Sequence, residues 1–570
     1  MSMICFVTMM CVCSLGTAQV LTERSAHFWE LRNQAELDEA ITKQSLNIRK
    51  AKNVIIFVGD GMGITTITSG RILKGQVSGT SGEETKLAMD KFPFSGISKT
   101  YSVNKQVSDS ASTATAFLTG VKTNDFILGL TGSAQRGICK GSIDENNIVT
   151  SVLIEAKNAG KSAGFVTTTR INHATPGATY AHTPERMWYG DADLTEEAKA
   201  NGCKDVAQQF IDNSHLFTVA LGGGRQYFRP NTTQDEEYPN KTNARLDGQD
   251  LIEQWKQIQL QQGNRAAYVW NATEFAGINP DNTDSLLGLF QPKDMHYEAH
   301  RSGDVAGEPS LSEMTAKAIS LLKKNEEGYI LLVEGGRIDH GHHEGNAYLA
   351  LHDLVAFDDA IDTAVQMTSD DETMLIVTAD HSHVFTIGGY SDRGNPIFGL
   401  APNAIKPTLG DDNKTFTTLL YGNGPGYAFE SCERENVTGV PTDVSTYLQQ
   451  SAVPLSYETH GGEDVIIMSR GPMAHLFEGV HEQTYIAHVI RYATCIGKLS
   501  KDCNERFNPP KENGVILYFL GISMTSSKAV LALYVTLALL IVTSIVAIAA
   551  NIHIYRMVSS KPKSEQMQKV

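Results

Sequence analysis

Four stretches of the chain run apolar and then stop on side chains that can bind a metal ion. Val54 to Val58 is a continuous apolar run ending in Gly59-Asp60-Gly61. The string GFVTTTRINHATP brings His173 and Thr175 after its apolar opening. Ile330 to Val333 leads into Glu334 and Asp339, and Leu375 to Val377 leads into Asp380 and His381. Unbroken rather than alternating apolarity predicts strands buried on both faces, as in a parallel sheet covered by helices. Between the runs, SVLIEAKNAG and LSEMTAKAISLLKKN carry helical periodicity and stop near Gly or Asn. The alternation predicts an α/β fold: a doubly wound, mostly parallel central sheet with helices on both faces and a site at the strand C-termini. One strand ending in Asp and Gly is an ordinary turn. Four such ends, all with ligand-type side chains, are not explained by turns alone.

The flanks read differently. Residues Ala26 to Leu46 predict an amphipathic helix, with Phe28, Leu31, Ala35, Leu37 and Ile41 roughly on one side. From Val384 to Pro454 the pattern breaks into short strands and turns rich in Gly, Pro, Asn and Thr, which predicts an insertion above the sheet. Met3 to Leu15 is uncharged and apolar, and Gly16-Thr17-Ala18 supplies small residues for cleavage, so 1–18 reads as a signal peptide without the usual basic start. Ala529 to Ala550 is long enough to cross a bilayer. Lys528 precedes it, and Arg556, Lys561, Lys563 and Lys569 follow, which fits a single span with the bulk of the chain outside. The expected organisation is a catalytic body over 19–503, a stalk over 504–528, a span over 529–550 and a cytoplasmic tail over 551–570. A cleaved signal for a glycolipid (GPI) anchor stays open, because Ser523, Thr525, Ser526 and Ser527 are small residues at a suitable place.

Composition adds size and compartment. The 570 residues, 41% apolar, suffice for one large α/β domain with a sizeable core. A formal charge of −16 argues against nucleic acid as a partner. An anionic substrate then needs local positive charge, which bound metal ions supply. Sequons at Asn231, Asn240, Asn271, Asn413 and Asn436 agree with an exported chain. Past the signal peptide five cysteines remain. The simplest pairing joins Cys139 with Cys203 and Cys495 with Cys503, leaving Cys432 free; spacing alone does not decide it.

The candidate chemistry centres on Ser110, in QVSDSASTATAFLTG, where Ala111 to Leu118 can start a helix directly behind it. A serine at a helix N-terminus sits among free N–H groups that favour a bound phosphoryl group. DSAS by itself is more often a helix cap. The metal-type residues change that reading. Asp60, Asp339, His343, Asp380, His381 and His460 suit zinc in a site with an open position. Asp339 and His343 stand one helical turn apart, and His460 lies in a glycine-bordered loop. Glu334, Thr175 and Asp60 offer oxygens to a hard ion such as magnesium. Arg186, in AHTPERMWYG, can grip two phosphate oxygens at once.

The strings VGDGMG, DSASTATAF, ATYAHT, EGGRIDHGHHE, TADHSH and THGGEDV resemble the alkaline phosphatase family in its animal membrane-bound branch, over about Lys52 to Cys503. The resemblance implies a homodimeric phosphate-monoester hydrolase in which Ser110 becomes a phosphoserine and Arg186 binds the phosphate. It implies one zinc at Asp339, His343 and His460, a second at Asp60, Asp380 and His381, and one magnesium at Asp60, Thr175 and Glu334. Residues 384–454 would be a crown-like domain. Two departures stand out. Ser112 stands where the family commonly has Gly, a change expected to be tolerated on an outward position. The implied calcium site near Glu237, the Phe290 carbonyl and Glu308 has Gln291 where a glutamate is usual, so calcium is expected to bind weakly or not at all. Sulfatases and phosphodiesterases of related fold use a modified Cys or a Thr as nucleophile, and Ser110 counts against them. A catalytically dead binding protein on this scaffold would have lost a ligand, and none is missing.

Overall fold

The structure is a computed structural model that describes residues 26–43, 46–401, 409–430, 433–501, 503, 507, 517–519, 522–524 and 526–559. The signal peptide 1–18 and Cys432 lie outside the described residues. The chain divides into two compact units, residues 1–500 and 501–570.

The first unit is built on a ten-stranded sheet. In chain order its strands are β1 (Asn53–Gly59), β2 (Phe94–Lys99), β3 (Ser162–Arg170), β4 (Val219–Gly223), β5 (Ala266–Val269), β6 (Ser285–Leu289), β7 (Tyr329–Gly335), β8 (Thr373–Ala379), β9 (Val465–Arg470) and β10 (Gly479–Glu482). Their spatial order is β10-β2-β9-β8-β1-β7-β3-β4-β6-β5. Every pairing is parallel except those of β9, which runs antiparallel to both β8 and β2.

Every residue of β1, β7 and β8 is buried, as unbroken apolar runs require. Ile55 and Phe57 pack with Leu331, Val333, Leu375 and Val377 against Met314, Ile319, Leu354, Phe357 and Ile361 of the helices Leu311–Leu322 and Ala347–Met367. The alternate residues, Val54, Ile56 and Val58, are equally buried. By strand alternation they face the opposite side, where Val152–Asn158 and Tyr485–Thr494 lie along β7, β3 and β1. Helices thus cover both faces.

Within 384–454 the strands are short: Phe385–Ile387, Leu419–Gly424 and Ser451–Pro454 form a separate three-stranded sheet. Cys139 is joined to Cys203 by a disulfide, and Cys495 and Cys503 are each disulfide-bonded. The N-terminal helix Ala26–Lys43 leaves Leu31 and Leu37 exposed.

In the second unit Ser526–Ser559 is one 34-residue helix. Val535–Arg556 is long and apolar enough to cross a membrane, with mean hydropathy 2.4.

Candidate active site and metal centre

Register puts the ligands side by side. Gly59 of β1 pairs with Gly335 of β7 on one side and with Ala379 of β8 on the other. Asp60 and Asp380 are therefore each the first residue past neighbouring strand ends, and Glu334, paired with Val58, stands two residues further back. Asp60 is followed by Gly61 at φ +70°, where a Cβ would lie 2.4 Å from the His383 ring. Only glycine lets the chain turn there and still admit the histidine. Asp339 and His343 project from Arg337–His343, directly after β7. His460 arrives by a short antiparallel pairing with His383.

Asp109 caps the helix Ser110–Thr119, accepting from Ala111 N at 3.2 Å and Ser112 N at 3.1 Å. All ten residues of that helix are buried. Ser112 is among them, so it does not face outward: its hydroxyl donates to Asp109 O at 3.0 Å. The Ser110 hydroxyl lies 3.1 Å from His381 Nε2 and 3.4 Å from Asp60 Oδ1.

Two sets of ligand atoms have the spacing of a small cation. Asp339 Oδ1 is 3.4 Å from His343 Nε2 and 3.4 Å from His460 Nε2, and the two nitrogens are 3.0 Å apart. His381 Nε2 is 3.0 Å from Asp380 Oδ2 and 3.5 Å from Asp60 Oδ1. A tetrahedral ion with bonds of about 2.0–2.1 Å holds its ligand atoms about 3.3 Å apart. Next to the second set, Asp60 Oδ2, Thr175 Oγ1 and Glu334 Oε1 are buried without hydrogen-bond partners. Three orphaned oxygens on adjoining residues suit a hard ion.

Charge supports the same reading. Asp60, Glu334, Asp339 and Asp380 are all buried. Asp60 is pushed well above the usual carboxylate range, by burial first and then by Asp380, Asp339 and Glu334. Burial likewise lifts Glu334 to about 7. Burial also acts to raise Asp339 and Asp380, but His343, His383 and His460 around the former and His381 beside the latter hold both below their ordinary values. Four buried carboxylates are tolerable when cations share the space.

Arg186 faces the same cavity of about 330 Å³ as Ser110, Asp339, His343 and His460. Its Nη1 donates to Asp109 Oδ2 at 3.0 Å and its Nη2 to His173 Nε2 at 2.9 Å. All ten expected site residues thus gather at one end of the sheet. Sequence reasoning gave no role in the site to four side chains that hold them, although it noted His173 at a strand end. Asp109 and His173 grip Arg186. His383 joins Asp339 Oδ1 at 2.8 Å through Nε2 and Glu458 through Nδ1. Glu458 also accepts from His343 Nδ1 through its carbonyl at 2.5 Å. The signals were present within two residues of an expected site residue, in DSAS, INHATP, DHSH and ETH.

A serine hydroxyl ringed by buried carboxylates and imidazoles, with a guanidinium facing the same cavity, belongs to the class of metal-dependent phosphohydrolases that use a serine nucleophile. The chain belongs to the alkaline phosphatase family, whose model matches residues 51–496, and it is a phosphomonoesterase of that family. It is 53% identical over 479 residues to the tissue-nonspecific isozyme of alkaline phosphatase from Homo sapiens, covering 83% of this chain and 90% of that one. It is 50% identical over 480 residues to the alkaline phosphatase of Gadus morhua, covering 84% and 98%. The solved alkaline phosphatase of Thermus thermophilus, at 23% identity, shares the fold with a TM-score of 0.55 over 80% of this chain and 93% of that one.

Proposed function

We propose that the chain hydrolyses phosphate monoesters through a covalent phosphoserine at Ser110. The proximity of Ser110 Oγ to His381 Nε2 and Asp60 Oδ1 carries this reading, because the hydroxyl lies against two side chains of the second ligand set. Asp339, His343 and His460 would hold one zinc, Asp60, Asp380 and His381 a second, and Asp60, Thr175 and Glu334 a magnesium. Bound there, these ions supply Lewis acidity that lowers the pKa of a hydroxyl or a water and offsets phosphoryl charge.

The chain's own residues do the rest. Ser110 Oγ forms a bond to phosphorus as the ester oxygen leaves with its alcohol. Water then cleaves the phosphoserine, returning the serine hydroxyl and releasing inorganic phosphate. Arg186 directs N–H groups at the phosphoryl oxygens, and Asp109 and His173 keep its guanidinium in orientation. The helix behind Ser110, buried along its whole length, keeps the nucleophile from drifting.

A homodimer is supported by Leu31 and Leu37 on the N-terminal helix, which stand exposed among the described residues. The C-terminal apolar helix fits a membrane anchor. The basic residues after it favour a single span with the catalytic body on the extracellular face. A GPI anchor is the alternative. Exposed sequon asparagines at 231, 240, 413 and 436 suit the same compartment. The formal charge of −16 disfavours nucleic acid as a partner.

The test is hydrolysis of an aryl phosphate monoester at alkaline pH, with and without a chelator, beside Ser110→Ala. The expected result is activity that chelation abolishes and zinc restores. Ser110→Ala should lose on the order of 10³-fold or more in kcat. Chelator-resistant turnover, or full activity in Ser110→Ala, would overturn the reading.

A further inference from the structure

A second cluster of ligand-type side chains lies away from the catalytic centre: His296, Asp304 and Glu308 lie between β6 and the helix Leu311–Leu322, and Glu237 lies between β4 and β5. Four of its ligand atoms are buried without a hydrogen-bond partner: Glu237 Oε1, His296 Nδ1, Asp304 Oδ2 and Glu308 Oε2. Glu308 is 3% exposed. Its Oε2 faces His296 Nδ1 at 3.5 Å in an ion-pair contact without hydrogen-bond geometry, while its other oxygen accepts from His296 N at 2.8 Å. His296, Asp304 and Glu308 each offer a ligand atom within 4.8 Å of the others. A buried polar atom left without a partner is costly. Four orphans in one place point to a cation among them.

The donor set decides which cation. Calcium, which the family resemblance implies near here, takes six to eight oxygens. Gln291 directs its amide Nε2 at Glu237 Oε2 and Asp304 Oδ1, at 3.4 Å each, so an N–H stands where a further carboxylate oxygen would serve calcium. Arg225 Nη2 also sits 3.6 Å from Glu237 Oε2 and already compensates part of its charge. One of the remaining donors is an imidazole nitrogen, which calcium does not favour and zinc does. An imidazole with two or three carboxylates is a zinc-type set. The partly exposed His296 ring leaves an entry path.

We propose that Glu237, His296, Asp304 and Glu308 form a binding site for a zinc-type divalent cation in place of calcium, separate from the catalytic metals. Metal content of the purified full-length protein in detergent tests this, after equilibration with micromolar zinc and millimolar calcium together. The expected result is one more zinc per chain in the wild type than in His296→Gln, no calcium in the wild type, and equal turnover of an aryl phosphate by both. Gln291→Glu should gain one calcium per chain. A wild-type protein that holds calcium against zinc overturns the proposal, and so does equal zinc in wild type and His296→Gln. The wild-type competition decides even if the variants do not fold. Loss of the catalytic reading would appear separately, as absent turnover with the additional zinc still bound.

Discussion

The carboxylate of Asp109 ties Arg186 to the helix that begins at Ser110. Oδ2 accepts from Arg186 Nη1 at 3.0 Å, and the same carboxylate accepts from Ala111 N and Ser112 N. Burial acts to raise Asp109, but Arg186 and the backbone amides of Phe126 and Ser112 hold it below its ordinary range. A single charged pair therefore sets the distance between the nucleophile and the group proposed to grip phosphate.

Arg186→Ala should weaken binding of inorganic phosphate on the order of 10²-fold, since it removes two charge-assisted hydrogen bonds worth about 1.5–3 kcal/mol each, with partial compensation by water. Arg186→Lys keeps the charge but not the planar fork, so a loss of about tenfold is expected. Competitive inhibition by phosphate measures both. Asp109→Ala should behave differently: it removes a helix cap worth about 1 kcal/mol and strands a buried guanidinium, so its melting temperature should fall as well. Arg186→Ala with unchanged phosphate inhibition would remove Arg186 from the site.

Removing the metals should make stability depend on pH. In the metal-free protein Glu334 is lifted from 4.5 to about 7, chiefly by burial, and Asp60 is raised in the same direction. A carboxyl with a raised folded pKa stabilises the fold below its unfolded pKa, and that contribution disappears as pH climbs through the folded value. The chelated protein should therefore lose about 3 kcal/mol from Glu334 alone between pH 4.5 and 7. Thermal melts at pH 5 and pH 7, with and without chelator, check this. The buried imidazoles of His340 and His343, lowered to about 4, act in the opposite direction over this window, so Glu334→Gln is the control. Its metal-free melting temperature should fall less, or rise more, from pH 5 to pH 7 than that of the wild type, and an equal change in both would contradict the raised Glu334.

Much of this architecture was legible because burial on both faces leaves a plain mark. NVIIFVG, YILLVEG and TMLIVTA each carry an unbroken apolar run, and they became three adjacent central strands. The ligands were legible for a related reason: a parallel sheet gathers its strand ends, so Asp60, Glu334 and Asp380 had to converge. The edge strand β10 and its neighbour β2 were not legible, because FSGISK and GVHE carry too little apolar residue to mark a face. His383 and Glu458 were missed because their partners are remote in sequence: Glu458 is 75 residues from His383, and only the folded chain shows that pair. Ser112 was misplaced outward because a serine one turn into a helix reads as solvent-facing. Asp109 and Asp125 make room for its hydroxyl inside.

The disulfide between Cys139 and Cys203 should matter for folding more than for catalysis. It closes a sequence separation of 64 residues, and a loop of that size corresponds to about 4 kcal/mol in the chain-entropy description. Both cysteines pack beside Trp188, Leu194 and Ala198, near the segment that carries Arg186. Cys139→Ser with Cys203→Ser should lower the melting temperature by several degrees while leaving kcat at low temperature within a factor of about two. A kcat loss without a stability loss would show that the bridge positions Arg186 instead.

The anchor is decided by what releases it. Val535–Arg556 spans 22 residues, about 33 Å as a helix, against about 30 Å of bilayer hydrocarbon. Arg556 closes that stretch, and Lys561, Lys563 and Lys569 follow it. A glycolipid-anchor signal ordinarily ends in its apolar tail. Membranes carrying the full chain should therefore keep their phosphatase activity in the pellet after treatment with a phosphatidylinositol-specific phospholipase C. Truncation after Ser500 should move the activity to the soluble fraction, since the catalytic unit is compact by itself. Release of active enzyme by the phospholipase would establish the glycolipid anchor and show that the helix is cut away.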